Sequence, residues 1–248
     1  MEEFVVAALA AGMLVAAFGY ASVGHGGASA YLAAMALAGI APPEMRPVAL
    51  LLNILVSSLA TWKFWRAGHF RWRLFWPFAA VSTPLAYVGG AITLPGQAYK
   101  VLVGLVLLYA AWQLWHSVRA GDEMRELREP PLGWAMLVGA AMGLLAGLTG
   151  VGGGIFLSPL LLMLGWAGTK QTSAVAAPFI LVNSIAGLAA IVLAKSAPLP
   201  SYVWILAPAV IIGGWLGAEY GSRRFANPVV RRVLAVVLAL AGAKMIWV

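Results

Sequence analysis

Long apolar stretches, separated by short polar or charged ones, fill almost the whole chain. We predict ten helical segments from this pattern, at residues 4–21, 28–40, 47–65, 74–92, 99–117, 132–149, 154–166, 174–194, 202–218 and 229–247. No stretch alternates apolar and polar residues as a membrane β-strand does, so helices are expected throughout. A hydrocarbon core about 30 Å thick needs about 20 helical residues. Segments 28–40 and 154–166 are therefore too short to cross it.

The composition places the chain in a membrane. Of its 248 residues, 62% are hydrophobic and 10% are charged, whereas a soluble domain carries about 25% charged residues. The chain has no cysteine, which excludes disulfides and thiolate chemistry. Its net charge of +8 fits the basic cytoplasmic loops of a membrane protein better than a nucleic-acid-binding one. We predict an all-α polytopic protein of the cell inner membrane, in contact with the lipid bilayer and with no nucleic acid.

The basic residues predict how the chain is oriented. If each half of the chain crosses the membrane an odd number of times, twelve of the sixteen Lys and Arg residues share one face. These are Lys63, Arg66, Arg71, Arg73, Arg119, Arg125, Arg128, Lys170, Arg223, Arg224, Arg231 and Arg232. The positive-inside rule makes that face cytoplasmic and places both termini outside. Re-entrant hairpins at the two short segments and broken crossing helices predict the same charge distribution.

The two halves of the chain repeat the same order of features. At a shift of 126 residues, Gly24, Gly26, Gly27 and Gly39 fall on Gly150, Gly152, Gly153 and Gly165, and a four-residue gap then places Asn53 on Asn183. We predict two inverted repeats of about five segments, residues 1–118 and 132–248, joined by a charged cytoplasmic linker at 119–131. Inverted repeats are the usual plan of secondary transporters, whose binding site lies between the repeats.

Each short segment follows a cluster of glycines. A short helix after a glycine turn begins inside the membrane, where its first amides have no intrahelical partner and its N-terminus carries partial positive charge. Glycine has no side chain, so a small anion can approach these amides closely. The alternative is that glycines let helices pack closely. We expect that packing role for Gly139, Gly143 and Gly147, which are spaced by four.

These motifs resemble those of a known family. The run Gly150-Val151-Gly152-Gly153-Gly154, followed by Pro159-Leu160, Thr172-Ser173 and Asn183, resembles the TauE/SafE sulfite exporter family. The resemblance covers essentially the whole chain and implies a permease, working as an exporter, for small sulfur-containing anions such as sulfite or organosulfonates. The first half departs from the pattern, because His25 stands within its glycine cluster and Arg46-Pro47 replaces the Thr-Ser pair.

We predict an anion site near the membrane midplane. Its candidate residues are Gly24, His25, Gly26, Gly27, Ser29, Asn53, Gly150, Gly152, Gly153, Gly154, Gln171, Thr172, Ser173 and Asn183. Arg46 and Lys170 each precede a long helix, and they either attract anions at the two mouths of the path or anchor the interface. The asparagines either bind substrate or make interhelical hydrogen bonds. His25 is structural, donates to the anion or carries a coupled proton. No catalytic residue, metal site or cofactor is predicted.

Other functions are also consistent with parts of this pattern. The same helix ends would line a passive anion channel, or a permease for another small organic anion. A membrane enzyme is disfavoured, because we find no nucleophile, acid–base pair or metal set. The sequence leaves the coupling ion and a homodimer open.

Overall fold

The computed structural model describes residues 3–116, 128–194, 199–223 and 228–247, and it gives the side chains of residues 4–116, 128–194, 199–223 and 232–247. These residues form ten α-helices: α1 (Glu3–Ala21), α2 (Ala28–Leu37), α3 (Pro42–Arg66), α4 (Trp72–Ala91), α5 (Gly96–His116), α6 (Leu132–Thr149), α7 (Gly154–Met163), α8 (Thr169–Leu193), α9 (Val203–Arg223) and α10 (Pro228–Trp247). The prediction of an all-α membrane protein with ten helical segments is confirmed. Most of the predicted linker, residues 119–127, lies outside the described residues.

The helix lengths fall into two groups. Within the described residues, α1, α3, α5, α6, α8 and α9 are long and apolar enough to span a bilayer. Helices α2 and α7 have 10 residues each, which gives a length of about 15 Å, roughly half of the hydrocarbon core. The prediction of two short helices after the glycine clusters is therefore confirmed.

Two helices begin earlier than their hydropathy predicts. Helix α3 starts at Pro42 and α8 at Thr169, five residues before the predicted starts at 47 and 174. Both helix starts are polar, so their hydropathy does not predict a membrane helix. Arg46 and Thr172 are nevertheless buried inside the protein, where a polar side chain does not contact lipid. Proline also suits a first turn, because the amide that it lacks would have no intrahelical partner there.

The helices pack in pairs around a central α3–α8 contact. Helix α3 also packs against α9, and α8 against α4. On the outside, α1 packs against α9, α6 against α4, and α5 against α10. The set of contacts is unchanged when α1–α5 exchange places with α6–α10. The α3–α9 contact then becomes α8–α4 and the α1–α9 contact becomes α6–α4, whereas α3–α8 and α5–α10 map onto themselves.

Glycine ladders bring the outer pairs into backbone contact. On α6, Gly139, Gly143 and Gly147 lie against the backbone of Phe78, Ser82 and Ala86; on α9, Gly213, Gly217 and Gly221 lie against that of Leu14, Phe18 and Ser22. In both ladders the numbers rise together, so α6 runs parallel to α4 and α9 parallel to α1. The packing role predicted for the glycines of α6 is confirmed, and it agrees with the small-residue interfaces of membrane helices.

The two ends of the bundle carry different groups. We call the end with His69, Arg128 and Lys170 the linker face. There the Arg128 amide donates to the Gly165 carbonyl at 3.0 Å. Burial and, to a smaller extent, the charge of Lys170 lower the pKa of His69. At the opposite end, Lys244 Nζ donates to the Leu37 carbonyl at 3.0 Å, so α2 ends far from the linker face.

We expect Gly143→Ala to destabilise the protein. A Cβ at Gly143 would lie 2.5 Å from Ser82 Cα, so α6 and α4 must separate, at a cost of about 1–3 kcal/mol. Gly133→Ala is the matched control on the same helix, because a Cβ there meets nothing within 4 Å. Thermal unfolding in detergent should show a lower midpoint for Gly143→Ala alone. Equal midpoints for both variants would contradict the close packing.

Candidate anion site between the two glycine turns

The two glycine clusters fold into similar turns. Gly24 and Gly150 have φ values of 75° and 83°, and Gly27 and Gly153 have 96° and 85°. These values lie in the left-handed region, which glycine enters without the steric cost that a Cβ imposes. Gly27 and Gly153 are the residues that immediately precede α2 and α7. Each turn therefore ends one helix and starts a short one.

The short helices begin without a side-chain cap. In α2 the Tyr31 amide, which donates to the Gly27 carbonyl at 3.0 Å, makes the first hydrogen bond of the helix. The amides of residues 28–30 precede that bond and so have no partner within the helix. In α7 the Phe156 amide already donates to the Gly153 carbonyl at 3.1 Å, which tightens its first turn. The start of α2 thus presents more unpaired donors than the start of α7.

An inner cavity lies between the two turns. In this conformation it has a volume of about 10 Å³, which is room for about one water, so it must widen to hold an anion. Its lining residues are Tyr20, His25, Gly26, Gly27, Ala28, Ser29, Val151, Ile155 and Ile180. The first turn of α2 and residues of the second glycine region therefore border one space. The structure brings four of the predicted residues, His25, Gly26, Gly27 and Ser29, to this cavity.

An outer cavity adjoins the inner one. It has a volume of about 80 Å³ and is lined by Tyr20, Val23, His25, Gln113, Leu114, Ile155, Ser158, Leu162, Thr169, Thr172 and Ser173. Tyr20, His25 and Ile155 line both spaces. Thr169 begins α8 beside Lys170, so the outer cavity lies toward the linker face. Thr172 and Ser173 were predicted, whereas Gln113 and Thr169 were not.

Two buried hydroxyls of the outer cavity lack a protein partner. Ser158 and Thr172 are 4% and 3% exposed, and within the described residues Ser158 Oγ and Thr172 Oγ1 make no hydrogen bond. Leaving a buried hydroxyl unpaired costs free energy. These groups are therefore suited to bind a polar ligand. Gln171 Oε1 is also unpartnered, but Gln171 does not line either cavity.

His25 connects the first glycine cluster to the start of α7. Its Nδ1 lies 3.0 Å from the Val23 carbonyl and its Nε2 lies 3.2 Å from the Gly154 carbonyl. A neutral imidazole donates from one nitrogen only, whereas a protonated ring donates from both. The ring therefore links both turns and also borders both cavities.

Tyr20 is a site residue that the sequence reasoning missed. Its hydroxyl accepts a hydrogen bond from Ser29 Oγ at 2.9 Å, which leaves its own proton available for the inner cavity. The position of Tyr20, one helical turn before Gly24, was the available signal, since the last turn of α1 leads directly into the cavity.

The predicted residue Ser173 also contacts the first glycine region. Its Oγ donates to the Val23 carbonyl at 2.8 Å.

The two matched asparagines make interhelical hydrogen bonds and each keeps one free atom. Asn53 Nδ2 donates to Ser184 Oγ at 2.9 Å, and Asn183 Oδ1 accepts from Ser82 Oγ at 2.5 Å. Asn53 Oδ1 and Asn183 Nδ2 have no partner within the described residues. The carboxamide of Asn53 lies against Gly26 and Gly152. A substrate role for the asparagines stays a prediction.

Arg46 caps a helix. Its guanidinium donates to the carbonyls of Gly89 and Ile92, at 2.7 and 2.9 Å, and to that of Gly90. These carbonyls end α4, where a cation is favourable because of the helix dipole. The side-chain stem of Arg46 packs beside Gly150. Attraction of anions by Arg46 and Lys170 stays a prediction.

Four further predicted glycines lie against α8 or Asn53, and a substrate role for them stays a prediction. A Cβ at Gly24 would lie 2.6 Å from Ser173 Cα, and one at Gly153 would lie 3.0 Å from the Phe179 ring. A Cβ at Gly152 would meet Ser184 Oγ at 2.9 Å, and one at Gly154 would meet Ile180. Because these glycines have no side chain, α8 and Asn53 can pack directly against the backbone of both turns.

Comparison with known proteins gives consistent results. Residues 8–245 match the family described as Sulfite exporter TauE/SafE. The chain is 38% identical over 243 residues to the probable membrane transporter protein y4hK of Sinorhizobium fredii (strain NBRC 101917 / NGR234), covering 96% of this chain and 97% of that protein. It is 28% identical over 205 residues to the probable membrane transporter protein ORF9 of Sinorhizobium sp, covering 82% and 76% of the two chains. No solved structure matches the chain.

We expect Thr172→Val to leave the stability of the ligand-free protein unchanged or to raise it by up to about 1 kcal/mol, because an unpaired hydroxyl is removed. Thr149→Val is the control. Thr149 Oγ1 donates to the Leu145 carbonyl at 2.7 Å and accepts from the Val151 amide, so its loss should cost about 1 kcal/mol. Thermal unfolding in detergent measures both. Equal destabilisation would mean that the Thr172 hydroxyl has a structural partner.

Proposed function

The chain belongs to the sulfite exporter TauE/SafE family and is a membrane transporter, and from this premise we propose that it carries small sulfur-containing anions such as sulfite or organosulfonates. The transported anion binds in the inner cavity, near the membrane midplane. The observation that carries this proposal is the position of the cavity at the uncapped N-terminus of α2, between the two glycine turns.

The chemistry of the cavity suits a small oxyanion. Unpaired amides at the start of α2 are donors aimed at the same space, and the glycines allow an anion to approach them. Tyr20 supplies a further hydroxyl donor, and Ser158 and Thr172 supply unpartnered hydroxyls on the way in. A sulfonate or sulfite group presents several acceptor oxygens to such donors. Asn53 and Asn183 act in this proposal by holding the turns.

The repeats are proposed to be inverted. In support of this, the helices of the first half make the same contacts as the corresponding helices of the second half. With the linker face in the cytoplasm, both termini lie outside and the outer cavity lies on the cytoplasmic side. Arg46 and Lys170 then occupy matching helix starts on opposite sides, where each is also proposed to draw anions toward the path. A homodimer stays a prediction from the sequence.

Export is the proposed direction. An inside-negative membrane favours the exit of an anion by about 2.3 kcal/mol per charge per 100 mV, so export of a monoanion needs no coupled ion. The outer cavity at the linker face would receive the anion from the cytoplasm. His25 is proposed to hold the two turns together rather than to supply the driving force.

We expect proteoliposomes to show saturable counterflow of labelled sulfite. Gly26→Leu and Gly152→Leu should each reduce it about tenfold or more, since a loss of about 1.4 kcal/mol in binding is a factor of ten. Both side chains would displace the carboxamide of Asn53. Gly12→Leu is the control, because a Cβ at Gly12 meets nothing within 4 Å.

Folding of each variant is checked by its elution and by thermal unfolding. Undiminished counterflow by folded Gly26→Leu and Gly152→Leu variants would place the site elsewhere. Single-channel currents with no saturable counterflow would favour a passive anion channel instead.

The proposed topology predicts which loops face the cytoplasm. Since the chain contains no cysteine, single substitutions Ala67→Cys, Gln97→Cys and Ser201→Cys give unambiguous labels. A membrane-impermeant maleimide added to intact cells should label the Gln97 and Ser201 variants and should label Ala67→Cys only after lysis. Ala67 and Ser201 lie in the corresponding α3–α4 and α8–α9 loops. If the Ala67→Cys and Ser201→Cys variants were labelled from the same side of the membrane, the repeats could not be inverted.

A further inference from the structure

The lining of the inner cavity is neutral apart from one histidine. Its described residues are glycines, alanine, aliphatic side chains, Ser29, Tyr20 and His25. The outer cavity adds hydroxyls and Gln113. Tyr31, which donates to the Gly26 carbonyl at 2.8 Å, is the other titratable side chain that contacts the first turn. The groups that face a bound anion are therefore dipoles and hydroxyls.

The nearest described cations are committed elsewhere or lie at the mouth. Three carbonyls at the end of α4 surround the Arg46 guanidinium, and Arg46 lines a separate cavity with Thr93 and Tyr99. Lys170 lies at the start of α8, close to His69. Compensating charge inside the site must then come mainly from the helix ends.

Helix ends supply a limited charge. Each N-terminus is equivalent to about half an elementary positive charge, so α2 and α7 together offer at most about one, and the C-termini of α1 and α6 at the same turns offset part of it. The two unpartnered, nearly buried hydroxyls of Ser158 and Thr172 provide hydrogen bonds but no net charge. The helix ends can therefore compensate at most one negative charge and not two.

We infer that the site selects the charge of its substrate: it accepts a tetrahedral headgroup that carries one negative charge, such as a sulfonate or hydrogen sulfite, and discriminates against the dianion of the same shape. The inference rests on the proposed function and adds a substrate class to it. A second charge in the cavity would be desolvated without a partner, which costs several kcal/mol. We therefore expect dianions to bind about 100-fold more weakly or worse, since each 1.4 kcal/mol is a factor of ten.

Two probes of similar shape separate charge from geometry. Methanesulfonate stays a monoanion at all relevant pH values, whereas methylphosphonate loses a second proton close to neutral pH. Each is used to inhibit sulfite counterflow in proteoliposomes, on the acid and on the alkaline side of that ionisation. Sulfite also changes its protonation state over this pH range. The two inhibition constants are therefore compared as a ratio, in which this shared effect cancels. We expect methylphosphonate to inhibit as a monoanion and to weaken about 100-fold relative to methanesulfonate when it becomes a dianion.

His25 is the internal control for this experiment. If protonation of the ring set the pH dependence, both probes would weaken together at alkaline pH, and His25→Gln would abolish the change; that result overturns the inference. If the ratio of the inhibition constants of methylphosphonate and methanesulfonate still changes with pH in His25→Gln, the discrimination depends on the charge of the ligand. Gln113→Lys places a cation in the outer cavity and should reduce the discrimination, whereas Gln97→Lys, on the exposed opposite end of α5, should not.

The remaining outcomes separate the inference from the proposed function. An unchanged ratio, with both probes inhibiting on both sides of the ionisation, overturns charge selection but leaves an anion transporter. Inhibition by neither probe, in protein that unfolds at the usual temperature, overturns the anion site itself and the inference with it.

Discussion

Helix ends inside a membrane impose the constraint on which this structure depends. Backbone amides in a hydrocarbon environment need partners, yet the short helices α2 and α7 begin without side-chain caps. The chain resolves this by surrounding both starts with protein. Helix α8 and Asn53 lie under the glycines, His25 joins one turn to the other, and Tyr20 closes the cavity. The amides of residues 28–30 still lack a partner within α2, and these are donors that an anion would satisfy.

Close helix packing makes this arrangement possible. The two glycine ladders hold α6 on α4 and α9 on α1 at backbone contact, which draws the outer helices tightly around α3 and α8. Association in lipid relies on such packing, because apolar side chains gain little by leaving a hydrocarbon solvent. Interhelical bonds from Asn53 to Ser184 and from Ser82 to Asn183 then fix α8 between the two halves. Ladders and asparagines thus position the glycine turns, together with the stem of Arg46 beside Gly150.

Much of the architecture could be predicted from the sequence, because membrane helices leave a strong apolar signal. The ten segments, the two short helices and the packing glycines of α6 were all recoverable. The polar first turns of α3 and α8 were not, since hydropathy detects compatibility with lipid, whereas Arg46 and Thr172 in these helix starts are buried in protein. Ser82 and Ser184 were also missed, because their role arises only when α4, α3 and α8 meet. Arg46 was predicted to attract anions or to anchor the interface, and only the tertiary contact with the end of α4 reveals its capping role.

The two halves differ in the side chains that line the cavity at the start of α8 and the cavity at the start of α3. At the start of α8, Thr172 is small and unpartnered, so space remains beside it. At the matching place in α3, Arg46 extends to the carbonyls of α4, and its stem fills the region beside Gly150. The second half likewise carries Val151 where the first has His25. A scaffold built from similar halves thereby presents unpartnered hydroxyls to the cavity at the linker face, and at the cavity opposite it presents a guanidinium that is committed to backbone carbonyls.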